Sequence, residues 1–174
     1  MKKMTLWWLL FILLFPFSTV FAQNKPGVFT LTPGVWYEFF SSRRNLDNTV
    51  LPSLALAYNF DEKLALEFSA GMINTNSKAS GNQGVHGTLY LLDGLYRTIP
   101  WKFLEPYLLG GIGLTSLKPN GLDSRQQMNA NLGIGAQLFA DKMVALRADI
   151  RDLYTFVGSE NDVLVSFGIS FLIG

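Results

Sequence analysis

Cysteine is absent from this chain of 174 residues, and histidine occurs once, at His86. Without cysteine there is no disulfide scaffold, thiol nucleophile, Cys-ligated zinc or lipid attachment through a thiol. A single histidine excludes paired-histidine metal motifs such as H-E-x-x-H. Charge is also scarce, at 16% of residues, where soluble domains carry roughly 25%. The formal net charge of +1 gives no basic face for nucleic acid. No metal, cofactor or nucleic-acid partner is therefore expected. Long apolar runs are missing after residue 22: the longest, Tyr107 to Leu114, has eight residues, three of them glycine. That falls well short of the ~20 residues of a membrane-spanning helix. What the chain does hold is 49% apolar and 14% aromatic residues, enough to exclude disorder.

The N-terminus accounts for part of that apolar content. Lys2 and Lys3 precede an apolar stretch from Leu6 to Phe15, and a short segment ends in Val20-Phe21-Ala22. This is the order of a secretory signal peptide, residues 1–22, with cleavage after Ala22. A membrane anchor is the alternative, but Pro16 interrupts a core already short for a full span. Residues 23–174 then hold twelve basic and thirteen acidic residues. They form either a soluble exported domain or a membrane protein built from strands, because only helices and closed barrels satisfy every backbone polar group in lipid.

Hydrophobic period decides between these. Leu64, Leu66, Phe68 and Ala70 alternate with Ala65, Glu67, Ser69 and Gly71; Leu132, Ile134, Ala136 and Leu138 with Asn131, Gly133, Gly135 and Gln137. The runs Val144–Arg151 and Val165–Phe171 alternate likewise. A period of two is that of strands with two unlike faces. Eight strands are predicted, over 27–40, 50–60, 63–73, 86–98, 105–117, 127–140, 143–156 and 162–173. Ten residues at about 3.3 Å each, tilted by about 40°, reach roughly 25 Å, the height of an outer-membrane apolar band. Short polar turns at 60–63, 98–104 and 140–143 alternate with loops at 41–49, 74–85, 118–126 and 157–161, the pattern of a transmembrane barrel with its short turns in the periplasm.

The polar faces carry Gly, Ser, Ala and Asn with few charges. A soluble lipocalin-like barrel would turn a surface with about 25–35% charged residues to water. These faces suit a crowded interior instead, and the apolar faces a lipid-facing wall. Tyr37, Phe39, Tyr58, Phe60, Tyr107, Phe139, Tyr154 and Phe156 lie near strand ends, where interfacial aromatic girdles form. The expected fold is all-β, an eight-stranded antiparallel up-and-down transmembrane β-barrel.

Strand parity places Glu38, Glu67, Asp93, Arg97, Arg147, Asp149 and Arg151 inside. Interior charges in a narrow lumen must pair or be hydrated, so these seven are the candidate site, an interior ion-pair network. No catalytic residue is expected. His86 sits at the loop end of the fourth strand without an accompanying serine-and-carboxylate pattern. The clusters Gly110-Gly111-Ile112-Gly113 and Gly133-Ile134-Gly135 complete no phosphate-binding motif, and strand curvature with close packing explains them better. Arg43-Arg44 in the first long loop reads as part of a solvated loop, with contacts to lipopolysaccharide phosphates or a host surface as the alternative.

The stretches Glu105-Pro-Tyr-Leu-Leu-Gly-Gly-Ile-Gly-Leu114, Leu132–Leu138, Ala145–Arg151 and Val165–Phe171, in this order, resemble the OmpA-type eight-stranded outer-membrane β-barrel domain. The resemblance covers most of residues 27–174. It implies a bacterial outer-membrane location, with outer-membrane lipid, lipopolysaccharide and the barrel assembly machinery as partners, and host or phage contacts through the loops. It implies a role in envelope integrity without catalysis, with a narrow ion channel gated by interior charges, or a lipid A-modifying enzyme using His86, as alternatives. Glu67 and Arg147 match the family's lumenal Glu–Arg pair, whose glutamate can switch to a lysine on a neighbouring strand. Here Leu89, Leu91, Asp93, Leu95 and Arg97 occupy the inward positions of the fourth strand, and Arg97 is the candidate replacement. Members usually continue into a linker and a peptidoglycan-binding domain. This sequence stops at Gly174, either as a barrel-only version or as a fragment, so that activity is not carried over.

Overall fold

The computed structural model describes residues 24–78, 83–99, 101, 104–119 and 123–174. The proposed signal peptide lies outside them. Eight strands run β1 (Phe29–Phe39), β2 (Thr49–Asn59), β3 (Leu64–Ser77), β4 (Gln83–Arg97), β5 (Leu104–Pro119), β6 (Arg125–Phe139), β7 (Val144–Thr155) and β8 (Glu160–Ile173). Each pairs antiparallel with its sequence neighbour, and β8 closes onto β1, giving a barrel without a free edge strand. Closure satisfies the backbone groups that lipid could not.

The alternation seen in the sequence is the alternation of faces. Leu64, Leu66 and Phe68 on β3, Leu132, Ile134 and Leu138 on β6, and Phe167, Ile169 and Phe171 on β8 point outward and are exposed. Glu67 and Ser69, Asn131 and Gln137, and Ser166 and Ser170, from the same strands, are buried. The barrel therefore keeps its apolar wall outside.

The short turn after β2 is built around its aspartate. Asp61 Oδ1 accepts from the backbone N–H of Lys63 and Leu64 at 2.6 and 2.7 Å. These bonds hold its carboxyl below the ordinary aspartate range. The 140–143 turn closes the same way along the backbone, Ala140 N–H donating to Val144 O at 3.0 Å.

Strand ends differ from the sequence reading on the long-loop side. The β3–β4 ladder continues from Ile73↔Gly87 up to Ser77↔Gln83, so most of the predicted 74–85 loop is hairpin. Asn74, Thr75, Asn76, Gly84 and Gly87 have weak strand preference, and cross-strand pairing overrides it.

The girdle assignment also needs correction at two positions. Tyr37, Phe39, Tyr58, Phe60, Tyr154 and Phe156 are exposed outward, and Phe29–Tyr58, Tyr37–Phe39, Tyr58–Phe60 and Tyr154–Phe156 form ring pairs. Tyr107 and Phe139, in contrast, are buried inside. Tyr107 shares its face with Glu105 and Leu109. Phe139 packs with Ala145, Leu172 and Val28 at the end that carries both termini.

The interior is layered. Trp36, Leu51, Ile73, Leu89, Leu91, Leu153 and Leu164 fill the half nearest the long loops, together with Phe40 and Leu46. Ala65, Leu95, Tyr107 and Leu109 form a smaller apolar layer towards the short turns. The charged residues lie between and beyond these layers. Two close approaches depend on glycine. A Cβ on Gly71 would meet the Trp36 ring at 2.7 Å, and one on Gly135 would run into the Tyr107 ring.

Candidate functional site: a charged lumenal network

Strand β7 supplies the positive side of the site. Arg147, Asp149 and Arg151 occupy alternate positions, so all three face inward. Glu67 on β3 and Asp93 on β4 stand in direct register. Tyr107 reaches the group from β5 and Asn131 from β6.

Arg147 grips Glu67 with both terminal nitrogens. Nη2 donates to Oε1 at 2.9 Å, and Nη1 donates to Oε2 beside it. The Nε–H of Arg147 is shared between Tyr107 Oη at 2.7 Å and Asp149 Oδ2 at 3.1 Å, while Tyr107 O–H donates to Asp149 Oδ2 at 2.7 Å. Arg151 spans three carboxylates: Nε to Asp149 Oδ1 at 2.8 Å, Nη1 to Asp93 Oδ2 at 2.6 Å, and Nη2 to Glu67 Oε1 at 3.4 Å. Asn131 donates to the free oxygen of Asp93 at 2.7 Å. The two guanidinium groups stack over aromatic rings, Arg147 over Tyr107 at 5.0 Å and Arg151 over Trp36 at 5.9 Å. Every charged side chain in the cluster is at most 3% exposed, and both oxygens of all three acids are bonded. This is the condition under which buried charges are tolerated.

Three acids face two arginines, so the cluster carries a formal charge of −1. The cavity beside it, lined by Trp36, Glu67, Arg147, Arg151 and Ser166 among others, measures about 10 Å³. That is about the room of one water molecule.

Of the seven residues read from the sequence, five meet here: Glu67, Asp93, Arg147, Asp149 and Arg151. Two lie elsewhere. Arg97 is buried towards the short-turn end, where Nη2 donates to Asn59 Oδ1 at 2.7 Å and Asn59 in turn donates to Thr30 at 3.2 Å. Glu105 sits at the same end and accepts from Asn24 at 2.6 Å. Glu38 is buried at the opposite end, below the first long loop, L1 (residues 40–48).

The sequence reading missed Tyr107, Glu105 and Asp162 as interior polar groups, whereas Asn131 was on the face assigned to the interior. Parity carried the signal for Asp162, which shares its face with Leu164 and Ser166. For β5 it did not, since Tyr107 to Leu114 is apolar or glycine on both faces. Arg44 is likewise not free to meet lipopolysaccharide, because its side chain is only 4% exposed and is paired with Glu160 and Asp162. Arg43 remains exposed. His86 Nδ1 lies 2.7 Å from Asn74 Oδ1 on the neighbouring strand. Its partner is an amide, not the carboxylate that orients a catalytic histidine.

Comparison with known proteins agrees with this architecture. The OprF membrane domain profile matches residues 19–174. Outer membrane porin F of Pseudomonas aeruginosa is 28% identical over 164 residues, 88% of this chain and 47% of that protein. The chain thus spans about half the length of this relative. The crystal structure of the N-terminal β-barrel domain of Pseudomonas aeruginosa OprF superposes with a TM-score of 0.66 at 17% identity, over 86% of this chain and 100% of that one. OprG from the same organism gives 0.64 at 12% identity, over 87% and 98%. Neisserial surface protein A gives 0.63 at 14%, over 82% and 96%. These structural likenesses speak for the fold. With the sequence match they place the barrel in the bacterial outer membrane: the chain belongs to the OprF membrane domain family.

Proposed function

We propose that this barrel is an envelope-stabilising outer-membrane protein that presents its long loops to partners at the cell surface and catalyses no reaction. The observation that carries this reading is the packing of the lumen by its own side chains. The cavity beside Trp36 and the Glu67–Arg147–Arg151 cluster measures about 10 Å³, and an eight-stranded barrel has an interior that its own side chains can fill. Lipid contacts the exposed apolar wall, lipopolysaccharide and surface partners meet the loop end, and the assembly machinery inserts the chain after removal of residues 1–22. Deleting the gene should increase leakage of periplasmic enzymes and sensitivity to bile-type detergents. Expression of the wild-type chain should restore the barrier. Unchanged leakage on deletion would contradict the envelope role.

A second reading, a narrow channel, draws on one observation: the central cluster has an excess of acid over base. A transient break of the Arg151 contacts would leave a cation-attracting constriction. A lipid A-modifying activity has less support, because the hydrogen-bond partner of His86 is the amide of Asn74 and not a carboxylate.

A further inference from the structure

The extracellular mouth contains a second buried charged group, separate from the central network. L1 carries a short 3₁₀ turn, Ser42–Arg44, which hangs over the opening. Arg43 on that turn is exposed, whereas the Arg44 side chain is 4% exposed. Arg44 turns into the mouth toward β8, which pairs with β1, and toward β7 and β6 beyond it. Its Nε lies 2.8 Å from Asp162 Oδ2 and 3.1 Å from Glu160 Oε2 on β8. Nη1 donates to Gln127 Oε1 on β6 at 2.9 Å, and Nη2 to Thr155 Oγ1 on β7 at 2.6 Å. Four acceptors from three strands thus converge on one guanidinium.

The group has more negative charge than Arg44 neutralises. Glu38, just below, is 1% exposed, and its Oε2 has no hydrogen-bond partner among the described residues. Two carboxylates, Glu160 and Asp162, therefore share one cation, with the buried acid of Glu38 beneath them. The fit at Nε is also one of charge rather than direction, since its N–H is aligned with neither carboxylate. The acceptors stand 2.6–3.1 Å from nitrogen, the distances of N–H donors. No group of three His, Cys, Asp or Glu side chains among the described residues is arranged to hold a metal ion. The ligand chemistry is therefore that of guanidinium or ammonium.

We propose that the extracellular mouth is a binding site for a guanidinium or alkylammonium group, with Arg44 of L1 as its resident occupant. A basic ligand arriving from outside would enter by replacing Arg44. The exchange needs only a local movement of L1. Downstream of the turn the loop is anchored independently on β3: Leu46 bridges Ser77, Asp47 N–H donates to Asn76 O at 3.0 Å, and Thr75 donates to Asp47 O at 2.5 Å. Ser41 N–H, bonded to Asp162 Oδ1 at 2.7 Å, would be released along with the side chain. The tether gives Arg44 a local concentration in the millimolar range, so a monovalent competitor must be present at comparable or higher levels. The inference rests on the reading of the loops as the interactive end.

Arginine amide is the probe, added to the full barrel folded in detergent micelles. R44A should melt several degrees below wild type, and arginine amide should recover most of that loss saturably. The uncharged N-acetylglycine amide should not recover it. In R44A/E160Q/D162N, arginine amide should have no effect. Absence of recovery in R44A, equal recovery by N-acetylglycine amide, or recovery that survives E160Q/D162N would overturn the proposal. If R44A does not fold, a fluorophore on S42C, unique in a cysteine-free chain, reports the exchange in otherwise wild-type protein. Its anisotropy should fall saturably with arginine amide, and a flat titration would overturn the proposal. Either negative result leaves the envelope role standing, because deletion-strain leakage tests that role separately.

Discussion

Glu67 and Asp93 stand directly opposite each other across the β3–β4 ladder, and one arginine, Arg151, is bonded to both. Like charges in direct cross-strand register repel. In the buried lumen Arg151 bridges the two acids, while Arg147 and Asn131 take up the remaining oxygens. The arrangement makes β7 the organiser of the interior: its two arginines hold acids from β3, from β4 and from β7 itself.

Arg151→Ala should therefore be the most damaging single change in the lumen. It leaves the Glu67–Asp93 pair unbridged and removes one of three bonded partners from Asp149. Breaking a buried charge network in this way costs about 3–5 kcal/mol. Urea unfolding of the folded barrel in detergent measures the loss.

The Glu67–Arg147 pair separates the value of the pair from the cost of orphaning one member. Glu67→Ala leaves the Arg147 guanidinium without its bidentate partner and should cost about 3–5 kcal/mol. The double change Glu67→Leu with Arg147→Met removes both charges at similar volume and should recover most of that loss. A double-mutant cycle on unfolding free energies would check this, and additive losses would show the two side chains to be energetically independent.

Tyr107→Phe isolates a single oxygen. The hydroxyl accepts from Arg147 at 2.7 Å and donates to Asp149 at 2.7 Å, while the ring supports the Arg147 guanidinium from 5.0 Å. The phenylalanine keeps the ring and loses both bonds, so a loss of roughly 1–3 kcal/mol is expected. Thermal melting followed by the gel shift between boiled and unboiled samples would read it.

The barrel was legible in the sequence because lipid on one side and packed side chains on the other force a strict period of two. Glu67, Asp93, Arg147, Asp149 and Arg151 could be assigned inward from that period alone. Their grouping could not, because partners as far apart as Glu67 and Arg147 meet only through barrel closure and strand stagger. Parity failed where both faces are apolar or glycine. Tyr107 therefore read as an interfacial aromatic, although Gly135 opposite it leaves the space into which its ring turns. It was also silent for L1, where no periodicity says that Arg44 folds back into the mouth while Arg43 faces solvent. The apolar inner layer around Trp36, Leu51, Leu89 and Leu164 was hidden for a related reason. Leu89 and Leu91 were placed inward, but each read as one more apolar residue in a chain already rich in them.

Electrical recording in planar lipid bilayers tests most directly whether this network closes the lumen. The folded wild-type barrel should be silent, while Arg151→Ala should show cation-selective openings as the Glu67–Asp93 pair pulls apart. Steady conductance through the wild-type protein, unchanged by Arg151→Ala, would contradict the closed lumen and favour the channel.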